Sequence, residues 1–206
     1  MKFTEETGIN GHLMIVKQYN DGTEEVVLDD SNIIVSGMGF TLASFFAETG
    51  GGSNSIHNFQ IGKFQLGVSG PPAGGVVSSI NTLSGALSST SEYGLGSNLV
   101  LETRRLATGP ITDAGFQVFA NIPDSKMTKI GDSSVRFTLV LDEEACNGLS
   151  RGGSDAYLNE VALFSNNPIA TLSTSNERPM MVAYRTFSDV YKTSDFSLIF
   201  RWTINF

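Results

Sequence analysis

The stretch that decides the fold is residues 195–206, which read D-F-S-L-I-F-R-W-T-I-N-F. Its apolar residues fall at every second position, at Phe196, Leu198, Phe200, Trp202, Ile204 and Phe206. The positions between them are polar with one exception, at Ser197, Ile199, Arg201, Thr203 and Asn205. Because side chains alternate between the two faces of a β-strand, this period of two predicts a strand with one face against a core. We therefore expect residue 206 to belong to the core and not to a tail.

Two further segments are apolar at nearly every position and predict strands that are covered on both faces. Residues 157–164 read Y-L-N-E-V-A-L-F, and residues 180–187 read M-M-V-A-Y-R-T-F. The connection between them, 165–178, is polar. Such runs are typical of central strands in a sandwich or of inner strands in an assembly.

The N-terminal part predicts a hairpin followed by a helix. Residues 11–19 and 23–28 are strand-like, and Asn20-Asp21-Gly22 between them is a strong turn signal, since Asn and Gly tolerate positive φ. We expect Asp29, Asp30, Ser31 and Asn32 to provide turn and N-cap chemistry. A helix should follow at 37–47. Its apolar stripe is Met38, Leu42, Phe45 and Phe46.

The remaining segments predict short strands separated by glycine-rich loops. Strands are expected at 99–106, 115–122 and 133–141, and the last one alternates with Val135, Phe137, Leu139 and Leu141 inward. Residues 142–148 predict a turn that ends at Gly148, and 149–156 predict a connector. The Gly/Ser-rich loop at 70–96 contains Val76, Val77, Ile80, Leu83 and Leu87. It is either a flexible surface excursion or an arm that orders against a neighbouring subunit.

Length and composition favour one all-β domain over residues 1–206. The chain has 206 residues, of which 22 are glycine, and this describes many turns between short strands. We expect a mainly antiparallel, jelly-roll-like β-sandwich with one short helix near 37–47 and long Gly/Ser loops.

Charge and cysteine usage limit the partners and the compartment. The net charge is −8 and no basic cluster exceeds the pair Arg104-Arg105, so nucleic acid is not expected as a partner. The single cysteine, Cys146, cannot form an internal disulfide, which fits folding in a reducing cytoplasm. We interpret it as a small core or loop residue. The start M-K-F-T-E-E-T-G lacks a signal peptide's apolar region, and no apolar run approaches the roughly 18 residues of a membrane span, so membrane insertion is not expected.

Residues that could support catalysis or bind a metal are few. The two histidines are His12 in an apolar strand and His57 beside a Gly/Ser loop, and no G-x-S-x-G motif marks a nucleophile. With Cys146 they show no zinc-ligand spacing, and Asp29-Asp30 and 142–144 fit solvated turns better than a calcium loop. We therefore expect no catalytic residue, no metal site and no cofactor.

The order of motifs in the C-terminal half resembles structural proteins of tailed-bacteriophage virions. The matching segments are L-N-E-V-A-L-F at 158–164, A-Y-R-T-F at 183–187, K-T-S-D-F-S-L at 192–198 and R-W-T-I-N-F at 201–206. In those proteins an E-I/V-G/A-L-F strand, an A-R-R-T-F-like strand and a K-T-x-x-F…W-x-I-x-F ending recur. The resemblance involves structural motifs and transfers no catalytic residue.

The front half is similar to the same virion proteins in three places. Residues 29–35 followed by 37–47 look like their N-L-I-V-x-x-G-x-x-x-L-A-x-x-L segment. Residues 59–70 are similar to their I-x-x-I-x-x-G-x-G strand, and 99–105 match an L-x-x-E-x-x-R segment. The resemblance covers most of the chain as loosely spaced patches.

The resemblance implies a non-enzymatic structural component of a tailed-phage virion. Such a protein self-assembles as a homo-oligomer, contacts other virion proteins, and is located in the virion after folding in the host cytoplasm. The tail, baseplate or neck is favoured, and capsid decoration is the alternative station. Candidate subunit contacts, which could instead be core residues, are Phe45, Phe46, Met180, Met181 and Tyr184.

Two other classes of function are weighed against this one. A carbohydrate-binding host-attachment module would stack Tyr93, Tyr157 or Tyr191 on the sugar rings of a host glycan, with Asp and Asn side chains bound to the hydroxyls. An enzyme such as a glycosidase would need paired carboxylates, and no recognisable motif positions two of them.

Overall fold

The computed structural model of the chain describes residues 8–34, 36–47, 56–67, 120–148, 150–151, 154–155, 157–166 and 180–206. Two helices are present in these ranges, α1 (Ser36–Ala47) and the single turn α2 (Ile56–Phe59), together with a 3₁₀ turn at Asp124–Lys126. The strands are β1 (Asn10–Tyr19), β2 (Glu24–Ile34), β3 (Ile61–Gly67), β4 (Ala120–Asn121), β5 (Met127–Gly131), β6 (Ser134–Leu141), β7 (Ser150–Arg151), β8 (Ser154–Asp155), β9 (Leu158–Ser165), β10 (Met180–Val190) and β11 (Phe196–Asn205). The expectation of an all-β, antiparallel fold with one main helix is confirmed. The jelly-roll connection stays a prediction.

Nine of the strands form one continuous sheet in the order β4-β3-β9-β10-β2-β1-β11-β6-β5. All of its pairings are antiparallel. The sheet has two halves that meet at the end of β2, where the register is Ile33 to Tyr184 and Ile34 to Ala183. Along the rest of its length β2 pairs with β1. The strand β2 therefore belongs to both halves.

The two halves face each other and enclose the core between them. The ring centroids of Phe64 on β3 and Trp202 on β11 are 6.2 Å apart, and those of Phe187 on β10 and Phe200 on β11 are 5.9 Å apart. Each pair joins strands from opposite halves of the sheet. Tilted ring pairs at this spacing stabilise the folded state beyond what burial of their apolar area contributes. The result is a sandwich-like arrangement with one shared core.

The alternation of residues 196–206 is confirmed in β11, which lies between β1 and β6. Leu198, Phe200, Trp202 and Ile204 are all fully buried. The prediction is wrong for Phe206, which is 51% exposed because it follows the last paired residue of the strand. Burial of the alternating face attaches β11 to the facing half of the sheet.

The central position predicted for residues 157–164 is confirmed by β9, every residue of which is buried between β3 and β10. The predicted strand 180–187 is β10. Inside this pair the hydroxyl of Tyr184 donates a hydrogen bond of 2.8 Å to Oε2 of the buried Glu160. Burial and the neighbouring carboxylate raise the pKa of Tyr184 above its ordinary value, so the hydroxyl keeps its proton.

The predicted N-terminal hairpin is confirmed as β1 and β2. Gly22 has a φ of +86°, and the turn is closed by the N–H of Tyr19, which donates to the carbonyl of Thr23 at 2.9 Å. A carboxylate oxygen of Asp21 accepts the N–H of Thr23 at the same distance. Gly22 is a position where the turn requires glycine, because L side chains rarely adopt this backbone conformation.

The prediction of a turn and N-cap at Asp29–Asn32 is wrong, because β2 continues to Ile34. Asp29 lies opposite Met14 and Asn32 lies opposite Gly11 on β1. A Cβ on Gly11 would come within 1.9 Å of Oδ1 of Asn32, so the absence of a side chain at Gly11 leaves room for that amide. Cross-strand pairing with β1 therefore outweighs the local turn preference of these polar residues. The helix then begins at Ser36, one residue before the predicted start.

Other predicted segments have mixed outcomes. The inward face of 133–141 is confirmed in β6, where Phe137, Leu139 and Leu141 are buried. Residues 142–148 form a turn with Gly148 at a φ of +60°, and Cys146 within it is fully buried, as expected of a core or loop residue. The predicted connector 149–156 is wrong in part, because β7 and β8 pair there. The strand 99–106, most of the strand 115–122 and the loop 70–96 lie outside the described residues.

Substitution of Trp202 by alanine should test the core across the two halves. The side chain is fully buried against Phe64, so Trp202→Ala should lower the free energy of unfolding by about 3–5 kcal/mol. Chemical denaturation followed by circular dichroism measures this. Val140→Ala on β6 is the control, since Val140 is 41% exposed and its truncation should change stability little. Equal losses for the two variants would contradict the packing of β11 against β3.

An ion pair at the junction of the halves predicts a dependence of stability on pH. Nη2 of Arg185 on β10 lies 2.6 Å from Oδ2 of Asp30 on β2. The backbone N–H of Ser31, followed by the charge of Arg185, lowers the pKa of Asp30 below its usual value. A lowered pKa in the folded state contributes stability above the unfolded pKa of about 4, and this contribution is lost as the pH falls through the folded pKa.

Asp30→Asn should therefore reduce the difference in melting temperature between pH 6 and pH 3, because the variant has no carboxylate to protonate at the junction. Thermal denaturation across this pH range measures the difference. Asp132→Asn, in the exposed turn between β5 and β6, is the matched control. A pH profile of Asp30→Asn that is parallel to that of the unchanged protein would count against this coupling.

Candidate functional site

The helix α1 buries only the first part of its predicted apolar stripe. Met38 is 2% exposed and Leu42 packs partly against the core, while Oγ1 of Thr41 lies 3.1 Å from Oγ of Ser165 at the end of β9. Farther along the helix, Phe45 is 43% exposed and Phe46 is 80% exposed. The helix therefore packs on the sheet through its beginning and presents aromatic side chains at its end.

An apolar groove of about 500 Å³ lies between α1 and the sheet. It is lined by Met38, Thr41, Leu42, Phe45, Phe59, Gln60, Ile61, Met127, Val135, Phe137 and Phe206. None of the side chains that line it is charged, although the chain as a whole carries 34 Asp, Glu, Lys and Arg residues, 21 acidic and 13 basic. The groove is therefore suited to apolar side chains and offers nothing to bind a charged ligand.

The groove and the exposed phenylalanines around it form one continuous surface, which we name the aromatic patch and define as the groove with Phe45, Phe46 and Phe206. The ring of Phe45 is 5.3 Å from that of Phe46 and 6.0 Å from that of Phe59 on α2. Phe206, half exposed, lines the groove from the end of β11. An exposed apolar surface of this kind is typical of a site of contact with another macromolecule.

The five predicted subunit contacts separate into two groups. Met181 and Tyr184 are each 1% exposed and belong to the core, so the alternative interpretation holds for them. Phe45 and Phe46 are exposed and belong to the aromatic patch. The side chain of Met180 lies outside the described part of the structure.

Two of the three tyrosines predicted as sugar-stacking residues lie together. The ring centroids of Tyr157, just before β9, and Tyr191, just after β10, are 5.6 Å apart with an angle of 52° between the planes. The hydroxyl of Tyr191 donates a hydrogen bond of 3.4 Å to Oδ1 of Asp155 on β8. Tyr93 lies outside the described residues.

A second polar pair lies one step along the same two strands. Nδ2 of Asn159 on β9 donates a hydrogen bond of 3.1 Å to Oδ1 of Asp189 on β10. We name these five residues, Tyr157, Tyr191, Asp155, Asn159 and Asp189, the tyrosine cluster. The carboxylate of Asp155 is the main cause that raises the pKa of Tyr191, so its hydroxyl remains a neutral donor.

The buried Lys192 fixes the backbone next to this cluster. Its Nζ donates to Oδ1 of Asn147 at 3.0 Å and to the carbonyl of Thr193 at 2.7 Å, and it lies 5.1 Å from the centroid of the Phe196 ring. The carbonyl of Lys192 accepts the N–H of Gly148. Burial lowers the pKa of Lys192 although the neighbouring thiol and carboxylates oppose the shift. These bonds hold the segment after β10 against the 142–148 turn.

The histidines lie on separate elements and have structural contacts. Nε2 of His12 on β1 lies 2.9 Å from Oδ1 of Asp29, and both side chains are about half exposed. Nδ1 of His57 on α2 lies 3.1 Å from Oε1 of Gln60, beside a polar pocket of about 290 Å³. Asp29 and Asp30 are exposed, as expected, but they lie in the strand β2 and not in a turn, and Asp30 forms an ion pair with Arg185. Within the described ranges, no group of three His, Cys, Asp or Glu side chains is close enough to hold a metal ion.

Sequence reasoning named the individual tyrosines but did not bring Tyr157 and Tyr191 together, and it missed the groove. The sequence signal for the cluster was the presence of polar residues, Asn159 and Asp189, beside the tyrosines at the ends of two otherwise apolar strands. The groove had no such signal, because its lining comes from α1, α2, β3, β5, β6 and residue 206.

Comparisons with protein-family models, with curated proteins and with solved structures found no match for this chain. Among the described helices, none has both the length and the apolar character needed to cross a membrane.

Proposed function

We propose that the protein is a non-enzymatic structural component of a tailed-phage virion that self-assembles and contacts neighbouring virion proteins. The tail, baseplate or neck is the favoured station, and decoration of the capsid is the alternative. The observation that carries the proposal is the aromatic patch. It is a large uncharged surface on an otherwise acidic protein, and it has the character of a subunit interface.

The charge of the chain supports contact through this patch. Two copies that each carry a net charge of −8 repel one another in most of their relative orientations. The groove has no charged lining residue, so repulsion is weakest when the copies meet there. Phe46, which is 80% exposed, supplies apolar area that such contact would remove from water.

The position of the virion-like motifs is consistent with a structural role. The segments 158–164 and 183–187 lie in β9 and β10, and 201–206 includes the end of β11. Most of their residues are buried, which supports a contribution of these motifs to the core of the sandwich. A stiff sandwich with an apolar contact surface is suited to holding position in a symmetric particle.

Self-association through the aromatic patch can be tested by light scattering at several concentrations. We expect an oligomer, and Phe46→Ser should raise its dissociation constant at least about tenfold, as the loss of about 1.4 kcal/mol of contact would. Val26→Ser is the matched control, because Val26 is 58% exposed on β2, away from the groove lining. Negative-stain images of rings with six-fold or twelve-fold symmetry would favour the tail or neck, whereas a trimer fits either the tail or decoration of the capsid.

A monomer at every concentration, or an equal effect of Phe46→Ser and Val26→Ser, would contradict this interface. Circular dichroism of each variant checks that the sandwich is intact. Both substituted side chains are exposed, so neither change should alter the fold.

The arm interpretation of 70–96 has a separate test. Residues 68–119 connect β3 to β4, which are antiparallel neighbours with Lys63 opposite Asn121 and Phe64 opposite Ala120. Deletion of 70–96 should therefore leave the two strands paired, since 97–119 can still join them. We expect a folded protein with an unchanged melting temperature that fails to form the full oligomer. Assembly at the normal level after the deletion would rule out the arm.

A further inference from the structure

The tyrosine cluster has no role in the core or in the aromatic patch, and its chemistry indicates a second site. Leu158 and Val190, which pair across β9 and β10, are buried in the core. Because side chains alternate along a strand, the residues flanking this pair are directed to the opposite face. Tyr157 is 41% exposed, and Asp155 and Asp189 are exposed as well, whereas Asn159 is buried, so Tyr157 and the two carboxylates are the accessible part of the cluster.

A break in the strand register produces this arrangement. Thr186 pairs with Glu160 and Val190 pairs with Leu158, so β10 uses four positions where β9 uses two. Bulges of this kind redirect side chains and are frequent next to functional sites. Asp189 lies within this irregularity, and Tyr191 follows Val190 directly after it; both residues belong to the cluster.

The surroundings hold the cluster in place before any ligand arrives. The buried Lys192 fixes the backbone directly after Tyr191 through Asn147 and the carbonyl of Thr193. The strand β8 brings Asp155 to the hydroxyl of Tyr191 from a separate hairpin. Preorganised side chains on sheet elements bind with less loss of conformational entropy than side chains on loops.

We propose that the tyrosine cluster is a binding site for a neutral saccharide, in which Tyr157 stacks on a pyranose ring and Asp155 and Asp189 bind its hydroxyls, while the buried Asn159 orients Asp189 through its hydrogen bond. An apolar ring face beside oriented acceptors matches a sugar, which has a C–H face and a rim of hydroxyl groups. Each carboxylate already accepts a hydrogen bond from a neutral donor and keeps lone pairs for hydroxyl protons. The acidic groups disfavour a phosphate or nucleic acid at this position.

The main competitor is a cationic ligand such as an arginine side chain of a partner protein. Aromatic rings and carboxylates can also bind a guanidinium group. The two ligands differ in their dependence on salt, because binding of a neutral sugar involves no ion pair while binding of a cation is screened. The tyrosine cluster shares no residue with the aromatic patch, so saccharide binding at the cluster is independent of the proposed self-assembly.

The experiment is a titration followed by two-dimensional NMR of the labelled protein. The probes are the methyl glycosides of glucose, galactose, mannose and N-acetylglucosamine at millimolar concentration, with argininamide as the cationic probe. We expect at least one glycoside to shift resonances of Tyr157, Tyr191 and Asp155, with the same affinity at low and high salt. Resonances of the aromatic patch should not move.

Variants decide whether the cluster itself is responsible. Tyr157→Ala should weaken binding at least about tenfold, the change expected for loss of a stacking contact, whereas Tyr157→Phe keeps the ring and should bind normally. Tyr19→Ala is the matched control, because Tyr19 also packs on an aromatic ring, that of Phe196 at 5.7 Å, and donates to a carboxylate, that of Glu25 at 2.6 Å. Asp155→Asn should weaken binding while keeping the fold.

Three results would overturn the proposal. The first is the absence of cluster shifts with all four glycosides. The second is equal weakening by Tyr157→Ala and Tyr19→Ala. The third is binding of argininamide alone that disappears at high salt, which would assign the cluster to a cationic partner instead. The NMR spectrum of each variant reports directly on whether the sandwich has folded.

Discussion

The packing of the apolar face of β11 against the opposite half of the sheet is the contact on which the other features depend. Trp202 meets Phe64, and Phe200 meets Phe187, so one strand contacts both β3 and β10 across the core. This contact fixes the distance between the halves. It thereby positions α1 against the sheet end, where the groove forms, and keeps the ends of β9 and β10 free to carry polar and aromatic groups on their outer face. The aromatic patch and the tyrosine cluster both lie outside this core, because the interior of the sandwich is already filled by the facing aromatic rings.

Buried polar groups fix the register of β9 and the position of the segment after β10, which apolar packing alone would not determine. Glu160 and Lys192 are charged residue types with almost no exposure, and each has oriented hydrogen-bond partners. Burial of such groups costs free energy unless the partners are in place, so displaced registers of β9 or of the segment after β10 are disfavoured. The tyrosine cluster lies beside both constraints. Its geometry is therefore a consequence of the core chemistry beneath it.

Local patterns in the sequence were sufficient for those elements whose structure is decided locally. The alternation of 196–206, the Asn20-Asp21-Gly22 turn and the helix at 36–47 are visible in a few consecutive residues. Asp29–Asn32 show the limit, because their turn preference is overridden by pairing with β1, which no local pattern reveals. The groove was beyond prediction for the same reason, and the sequence indicated Tyr157 and Tyr191 individually but not their contact. Both require residues distant in sequence to meet, and the cluster depends on a bulge in β10 that changes the register.

The pairing of β3 with β4 has a consequence for how this protein can change over evolutionary time. The strands that precede and follow residues 68–119, β3 and β4, are antiparallel neighbours, so a much shorter connection would be long enough to join them. Doubling the length of such a connection costs only about 0.6 kcal/mol in closure entropy. The pairing of β3 with β4 by itself thus sets only a minimum length for the connection between them. Changes of length between β3 and β4 should therefore be more compatible with this pairing than substitutions around Trp202 are with the core, where a smaller side chain would leave a cavity.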